Sequence, residues 1–414
     1  MAGSERDSAV LGLSRLLTGQ AGALDHLRYG PRLEAPGAAR PPVVVWTATR
    51  RCNLHCMHCY ADAHDRPYPD ELTTDEAVAM LEDLAHLGVP VLLFSGGEPL
   101  MRPDLFALAR HAQALGIRTT LSTNGTLITA EVAEQLHATG FGYVGISLDG
   151  VGSTNDRFRG KRGAFEAALQ GIRNCRAVGQ RVGLRLTLTR RTVDDLPAIL
   201  ALIEREGIDR ACFYHLVYAG RGRRLANDEL APAETRSVID QLIDWVRDLQ
   251  RRGMDKEILT VDNHVDGPYL WLRLAREHGP ERAAEVWRLL ARNGGNNSGV
   301  AIGHVDHAGN VHPDQFSWPV TFGNVRERPF SAVWTEPTHP VLATLRQRAA
   351  ALPERCRQCR FLPLCNGNLR ARALAATGDF WGMDPACYLT DEEIRGSEDT
   401  STAPFGPEPI ISGR

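Results

Sequence analysis

Residues 75–99 read DEAVAMLEDLAHLGVPVLLFSGGEP, and two periods meet inside that stretch. Asp75–Leu87 follows a helical pattern, and Val91–Phe94 is a short unbroken apolar run of strand length. Gly88 lies between them, where a left-handed C′ residue ends a helix without a Cβ clash. Thr73 and Glu76 stand ahead of the helix at capping-box spacing. The same unit recurs outward from this point. Apolar runs at Val43–Trp46, Arg118–Leu121, Tyr143–Leu148, Val182–Leu188 and Ala211–Tyr218 alternate with helical patterns at Leu105–Leu115, Glu131–Ala138, Phe165–Val178 and Leu196–Glu206. Those helices are followed by Gly116, Gly140, Gly179 and Gly207. Six strands joined by crossover helices predict an α/β fold with a largely parallel sheet, and periodicity leaves open whether it closes. In either case the loops after the strands' C-terminal ends carry ligands. The polar residues fall there: a cysteine loop after the first run, Ser95-Gly-Gly-Glu-Pro99 after the second, Ser122-Thr-Asn-Gly125 after the third and Ser147–Asp149 after the fourth.

Composition sets the class. The chain has 414 residues, 43% hydrophobic and 23% charged, enough to bury one large core and a smaller appended unit. A formal net charge of −3 gives no general attraction for nucleic acid or an anionic membrane. No apolar run reaches eighteen residues and the start carries no secretory pattern, so a cytoplasmic, reducing compartment is expected. There, structural disulfides are rare and metal or cluster ligation becomes the first reading of the nine cysteines. Seven fall into two groups, Cys52/Cys56/Cys59 and Cys356/Cys359/Cys365/Cys387. Cys175 and Cys212 sit in apolar patterns and read as small core residues.

Cys52-Asn-Leu-His-Cys56-Met-His-Cys59 places three thiolates within eight residues of one loop. That spacing admits a cubane cluster gripped at three irons with the fourth open, or a structural zinc completed by His55, His58 or His64. The second group supplies four thiolates, enough to close a cluster or a zinc site.

CxxxCxxC after the first strand together with GGEP after the second resembles the radical S-adenosylmethionine (SAM) superfamily. The resemblance implies a partial parallel (β/α)6 barrel whose Cys52, Cys56 and Cys59 hold a catalytic [4Fe–4S] cluster that binds S-adenosyl-L-methionine. It places Gly96, Gly97 and Glu98 near the methionine amino group, and the main chain of His58 and Tyr60 near adenine. Ser122, Asn124, Ser147 and Asp149 become candidates for ribose or methionine, and Arg159 for the carboxylate. The segment 356–387 resembles the C-terminal SPASM and twitch extensions, cysteine-rich α+β domains that hold auxiliary iron–sulfur clusters. Gly309-Asn-Val-His-Pro-Asp314 has Asp314 where such domains often carry cysteine, so one auxiliary [4Fe–4S] cluster on Cys356, Cys359, Cys365 and Cys387 is expected.

A finer resemblance rests on HLVYAGRGRR (215–224), VDNHVDG (261–267), GNVHPDQFSW (309–318), FGNVRERPF (322–330) and CNGNLRARALAATGDFW (365–381). These look like the NirJ family of haem d1 biosynthesis, which removes propionate side chains of 12,18-didecarboxysirohaem on the way to the dioxo ring. The resemblance implies an iron tetrapyrrole substrate and a low-potential electron donor such as flavodoxin or ferredoxin. Arg221, Arg223 and Arg224 then suit substrate carboxylates, because guanidinium forks match them. His215 and His264 are candidates for axial ligation or proton donation. Sister haem synthases and didecarboxysirohaem deacetylases resemble the same cysteine layout. Peptide-modifying SPASM enzymes and a non-catalytic cluster or zinc protein are the remaining readings. The expected organisation is an irregular segment 1–40, the barrel 41–225, a mainly helical connection 226–298, the auxiliary domain 299–390 and a mobile tail 391–414.

Overall fold

In the computed structural model the described residues are 10–19, 41–336 and 338–396. Most of the expected lead-in and the tail beyond residue 396 lie outside them. Strands β1 (Val10–Gly12), β2 (Val43–Thr49), β3 (Val91–Gly96), β4 (Arg118–Thr123), β5 (Val144–Ser147), β6 (Val182–Leu188), β7 (Arg210–His215), β8 (Glu257–Val261), β9 (Ile302–Val305), β10 (Asn310–His312) and β11 (Gly323–Asn324) form one sheet. Its order is β1-β8-β7-β6-β5-β4-β3-β2-β9-β10-β11. Strands β2 to β8 run parallel in chain order, and β9 joins parallel beside β2. Antiparallel β1 and the pair β10–β11 finish the two edges, so the barrel is partial and unclosed.

Local chemistry explains the repeat. Thr73 Oγ1 accepts from the Glu76 amide at 3.2 Å while Glu76 accepts from the Thr73 amide at 2.8 Å, starting the helix Thr74–Leu87. The glycines after the first five crossover helices all have positive φ, between 60° and 88°. Both sheet faces are buried: Val44, Trp46, Leu92, Phe94, Leu121, Val144, Ile146 and Leu184 are fully buried on one, and Val43, Val45 and Val91 are buried on the other, where they line a cavity. That is why the strands read as continuous apolar runs rather than alternating ones.

Three parts of the expected organisation differ, one of them the tail expected from 391, whose first residues form the capped helix Asp391–Arg395 with Ile394 buried. The span 226–298 is not only helical. After the helix Pro232–Arg251 it inserts β8 as a seventh barrel strand, hydrogen-bonded in parallel to β7. Its five residues are too few to register as a separate element between two long helices. Within 1–40, Val10–Gly12 pairs with β8 and leads into the helix Leu13–Thr18, whose Leu13 and Leu16 are fully buried. Three residues carry no period of their own, and tertiary pairing alone makes them a strand.

Candidate active site

The chain leaves β2 at Thr49 and turns into the cysteine loop. Cys52 and Cys56 are buried and Cys59 half-buried, and the three pack together against Leu54, Ala63 and Ala164. Each sulfur meets an N–H donor. Leu54 donates to Cys52 Sγ at 3.4 Å, Ala63 to Cys59 Sγ at 3.4 Å and Arg159 Nη1 to Cys56 Sγ at 3.7 Å. Asn124 Nδ2 stands 3.9 Å from Cys52 Sγ. Neighbouring loops brace the main chain: the amides of His55 and Met57 donate to Arg159 and Phe158 carbonyls, and the Gly97 and Glu98 amides reach Thr49 and Arg51. A Cβ on Gly97 would stand 2.3 Å from the Arg51 carbonyl, so only glycine lets the GGEP turn lie against this loop.

Burial pushes the Cys52 thiol up to about 12, and it raises Cys56 despite the nearby Arg159. Thiols this hard to ionise, yet surrounded by donors suited to thiolates, fit a positively charged iron centre that displaces their protons. Iron loading of the metal-free protein is therefore expected to release protons and to be more complete at pH 9 than at pH 7. Iron uptake measured at the two values checks this, and pH-independent uptake would contradict it.

Eight of the ten residues expected to contact S-adenosylmethionine line one cavity with the three cysteines: His58, Tyr60, Gly96, Gly97, Ser122, Asn124, Ser147 and Arg159. The two carboxylates stand behind that wall. Glu98 is fully buried and accepts from Thr123 Oγ1 at 2.7 Å and from the amides of Asn124 and Leu100 at 2.8 and 3.1 Å. Its side chain ties the ends of β3 and β4 together instead of facing the cavity. Asp149, also fully buried, accepts from the Thr187 amide at 2.6 Å and ion-pairs with Arg159 Nη2. It thereby fixes the guanidinium that reaches Cys56. His58 stacks on Phe158 at 4.7 Å, and burial lowers its ring to about 4, so it is neutral.

Burial pushes the Glu98 carboxyl up from 4.5 to about 7, even with three donors. A folded-state value above the unfolded one means stability that is complete below about pH 4.5 and declines as the pH rises through 7, by about 3 kcal/mol. Glu98→Gln is expected to flatten that slope in denaturant titrations of the metal-free protein between pH 4.5 and 8. An unchanged slope would show that the carboxyl ionises freely.

The cavity also holds residues that the sequence reading passed over. Arg185 of β6 reaches Ser122 on β4 through Nη1, and its guanidinium lies 5.6 Å from the Tyr214 ring. Arg210 lies 4.5 Å over the Tyr143 ring. Gly145 and Gly183 make the room, since a Cβ there would stand 2.7 Å from Arg185 Nε and 2.4 Å from the Tyr143 hydroxyl. An arginine in the apolar run Val182–Leu188 was the available signal.

The candidate substrate residues separate. His215 lines the cavity, with Nε2 2.9 Å from Asp266 Oδ2, and Tyr388 donates to Asp266 Oδ1 at 2.7 Å. His264 does not line it. Its amide donates to Asn368 Oδ1 at 2.8 Å, and burial lowers its ring to about 3. Arg221 lines the cavity and also clamps the cysteine loop: Nε donates to the Cys56 carbonyl at 2.8 Å, and Nη1 to Ala63 O and Asp62 Oδ1 at 2.9 and 3.0 Å, while the buried Nη2 has no hydrogen-bond partner among the described residues. Arg223 and Arg224 are exposed and line a separate groove outside.

The second group also converges. Cys365 is raised well above the usual thiol range by burial first, with Cys387, Cys356 and Cys359 close enough to add to it. Arg355 Nη1 donates to Cys387 Sγ at 3.4 Å. Asn366, Gly367 and Asn368 follow Cys365 with φ of 54°, 84° and 57°, a left-handed run that explains the Asn-Gly-Asn triplet. Asp314 is buried in the neighbouring hairpin. Its Oδ1 accepts from the Phe316 and Ser317 amides, both at 2.9 Å, as a turn requires.

The Radical SAM superfamily model matches residues 46–203, and a model described as an iron-sulfur cluster-binding domain, SPASM, matches 302–360. Fe-coproporphyrin III synthase of Methanosarcina barkeri is 50% identical over 395 residues, 93% of this chain and 99% of that protein. Pre-heme d1 synthase of Dinoroseobacter shibae is 46% identical over 360 residues, 86% and 89% of the two chains. The crystal structure of Streptococcus suis SuiB bound to precursor peptide SuiA matches with a TM-score of 0.65 at 18% identity, over 85% of this chain and 76% of that one, a likeness of fold. The chain belongs to the radical SAM superfamily and is an enzyme that uses a [4Fe–4S] cluster with S-adenosylmethionine, with auxiliary iron–sulfur binding in its SPASM domain. Both of these relatives are tetrapyrrole-synthesis enzymes by name.

Proposed function

We propose that this enzyme modifies a side chain of an iron tetrapyrrole, with Cys52, Cys56 and Cys59 holding the catalytic cluster and Cys356, Cys359, Cys365 and Cys387 a single auxiliary one. When bound, the first cluster supplies the electron that splits S-adenosylmethionine into methionine and a 5′-deoxyadenosyl radical, which abstracts hydrogen from substrate carbon. The chain's own residues bind and orient around it. Arg159, held by Asp149, would bind the methionine carboxylate; Gly96 and Gly97 would offer main chain to the amino group; Ser147 and Asn124 would close the rim. The ring of His215, fixed by Asp266 and Tyr388, stands ready to move a proton at the substrate side of the cavity.

The observation that carries the tetrapyrrole reading is the cavity itself. The cysteine loop opens onto walls that combine Arg185, Arg210, Tyr143 and Tyr214, cationic and aromatic groups suited to a flat polycarboxylate. Formation of Fe-coproporphyrin III is the finer reading best supported by the relatives, since the Methanosarcina barkeri enzyme matches almost end to end at 50% identity. Propionate removal on the haem d1 route is the second, supported by the 46% relative and the quoted segments. No helix among the described residues is long and apolar enough to cross a membrane.

The test is anaerobic incubation of reconstituted enzyme with S-adenosylmethionine, dithionite and 12,18-didecarboxysirohaem, followed by mass spectrometry. Fe-coproporphyrin III supports the first reading, and loss of two propionates the second. Unchanged tetrapyrrole beside abundant 5′-deoxyadenosine would overturn both.

A further inference from the structure

A groove of about 270 Å³ lies immediately outside the cysteine loop and shares Tyr60, Phe316 and Arg221 with the wall of the reaction cavity. Its lining includes Arg50, Arg223, Arg224 and Trp318. Four arginines, Arg50, Arg221, Arg223 and Arg224, share one concavity of a chain whose formal net charge is −3, and they repel one another where no anion lies between them. Asp62 is the one carboxylate in that lining, and it is already taken by Arg221 at 3.0 Å and by Arg50 at 3.9 Å. Arg50 is further committed: Nε donates to the Ala61 carbonyl at 2.8 Å, and its guanidinium lies 5.3 Å from the Tyr68 ring and 5.6 Å from the Trp318 ring. Arg223 and Arg224 make no hydrogen bond or ion pair with the described residues, and both are exposed.

The backbone beneath that pair is fixed. The Arg221 amide donates to the Cys59 carbonyl at 3.0 Å. A Cβ on Gly220, at φ 52°, would stand 2.4 Å from the carbonyls of Cys59 and Tyr60, and one on Gly222 would stand 2.4 Å from that of Val217. The two side chains therefore start from a backbone pressed against the cysteine loop, at a set place relative to the reacting centre. Trp318 lines the same groove, its Nε1 donating to the Gln315 carbonyl at 2.8 Å and its ring packed against His304, His307 and His312.

We propose that this groove is a carboxylate subsite: Arg223 and Arg224 hold an acidic side chain of the substrate outside the reaction cavity. The proposal rests on the tetrapyrrole reading and extends it, because anchoring one edge of a flat polyacid decides which edge enters beneath the cysteine loop. Paired arginines suit a carboxylate on the edge of a macrocycle, and the concavity suits a small molecule better than the flat face of a protein.

Two probes test it on the reconstituted full-length enzyme, ferric coproporphyrin and its tetramethyl ester, by absorption titration. Wild type is expected to prefer the acid over the ester by about tenfold or more. Arg223→Gln with Arg224→Gln is expected to abolish that preference at wild-type iron content, and Arg223→Lys with Arg224→Lys to restore part of it. Equal affinity of wild type and the glutamine pair for the acid overturns the subsite and leaves the tetrapyrrole reading standing. If wild type binds neither probe, both fall. Unchanged porphyrin binding together with slower turnover only on a protein reductant overturns the subsite and assigns the arginines to docking of the electron donor.

Discussion

Cys56→Ala is expected to reduce 5′-deoxyadenosine formation to the level of cluster-free protein. Three thiolates are the smallest set that grips a cubane while leaving one iron for the sulfonium ligand, and two sulfurs do not hold it against loss of an iron. The substitution also strips Arg159 of its sulfur partner, so the guanidinium keeps only Asp149. Cys387→Ala is the informative contrast. It removes one ligand of the second group, far along the chain, and should spare the first cluster and deoxyadenosine formation while impairing conversion of the tetrapyrrole. Chromatography of deoxyadenosine with electron paramagnetic resonance of the reduced protein reads both. Wild-type deoxyadenosine yield from Cys56→Ala would remove the basis for the active-site assignment. Full product from Cys387→Ala would reduce the second site to a structural one.

Arg372→Met should be the most destabilising single change in the C-terminal unit, by about 3–5 kcal/mol. Arg372 and Asp384 are 0% and 2% exposed and form a two-pronged pair at 2.7 and 3.0 Å. Arg372 also donates to the carbonyls of Leu216 and Asp262, both at 2.9 Å, at the ends of β7 and β8. One side chain thus ties the cysteine-rich segment to the mouth of the barrel. Removing it leaves a buried carboxylate and two carbonyls without their partner, and the penalty for those exceeds the worth of the pair itself. Asp384→Asn should cost less, because the isosteric amide keeps an acceptor for the Leu369 or Ala386 amide. Denaturant unfolding of the metal-free protein measures both. A loss below about 1 kcal/mol for Arg372→Met would mean that water replaces the guanidinium, contrary to its burial.

The Glu98 and Asp149 carboxylates show where reading by motif stops. Both sit at loop positions that adjoin the cofactor in the sequence pattern, and both are turned away from the cavity to hold the groups that face it. The arginine loop shows the same limit. Arg221, Arg223 and Arg224 are alike in sequence, yet one clamps the cysteine loop and two line an outer groove, because Gly220 and Gly222 let the backbone press so closely that the intervening side chain must turn inward.

The order of strands and helices, their glycine ends, the parallel sheet and both cysteine groups were determined by the sequence alone. Each follows from a local period, a backbone conformation that favours glycine, or ligand spacing within a few residues. Tertiary structure alone decided that Val10–Gly12 and Glu257–Val261 are strands and that β9 extends the barrel sheet, since three to five residues gain strand geometry only from a partner's hydrogen bonds. It likewise decided which polar side chains line the cavity. Side-chain direction at a loop depends on contacts between residues tens to hundreds of positions apart, and no local pattern records them.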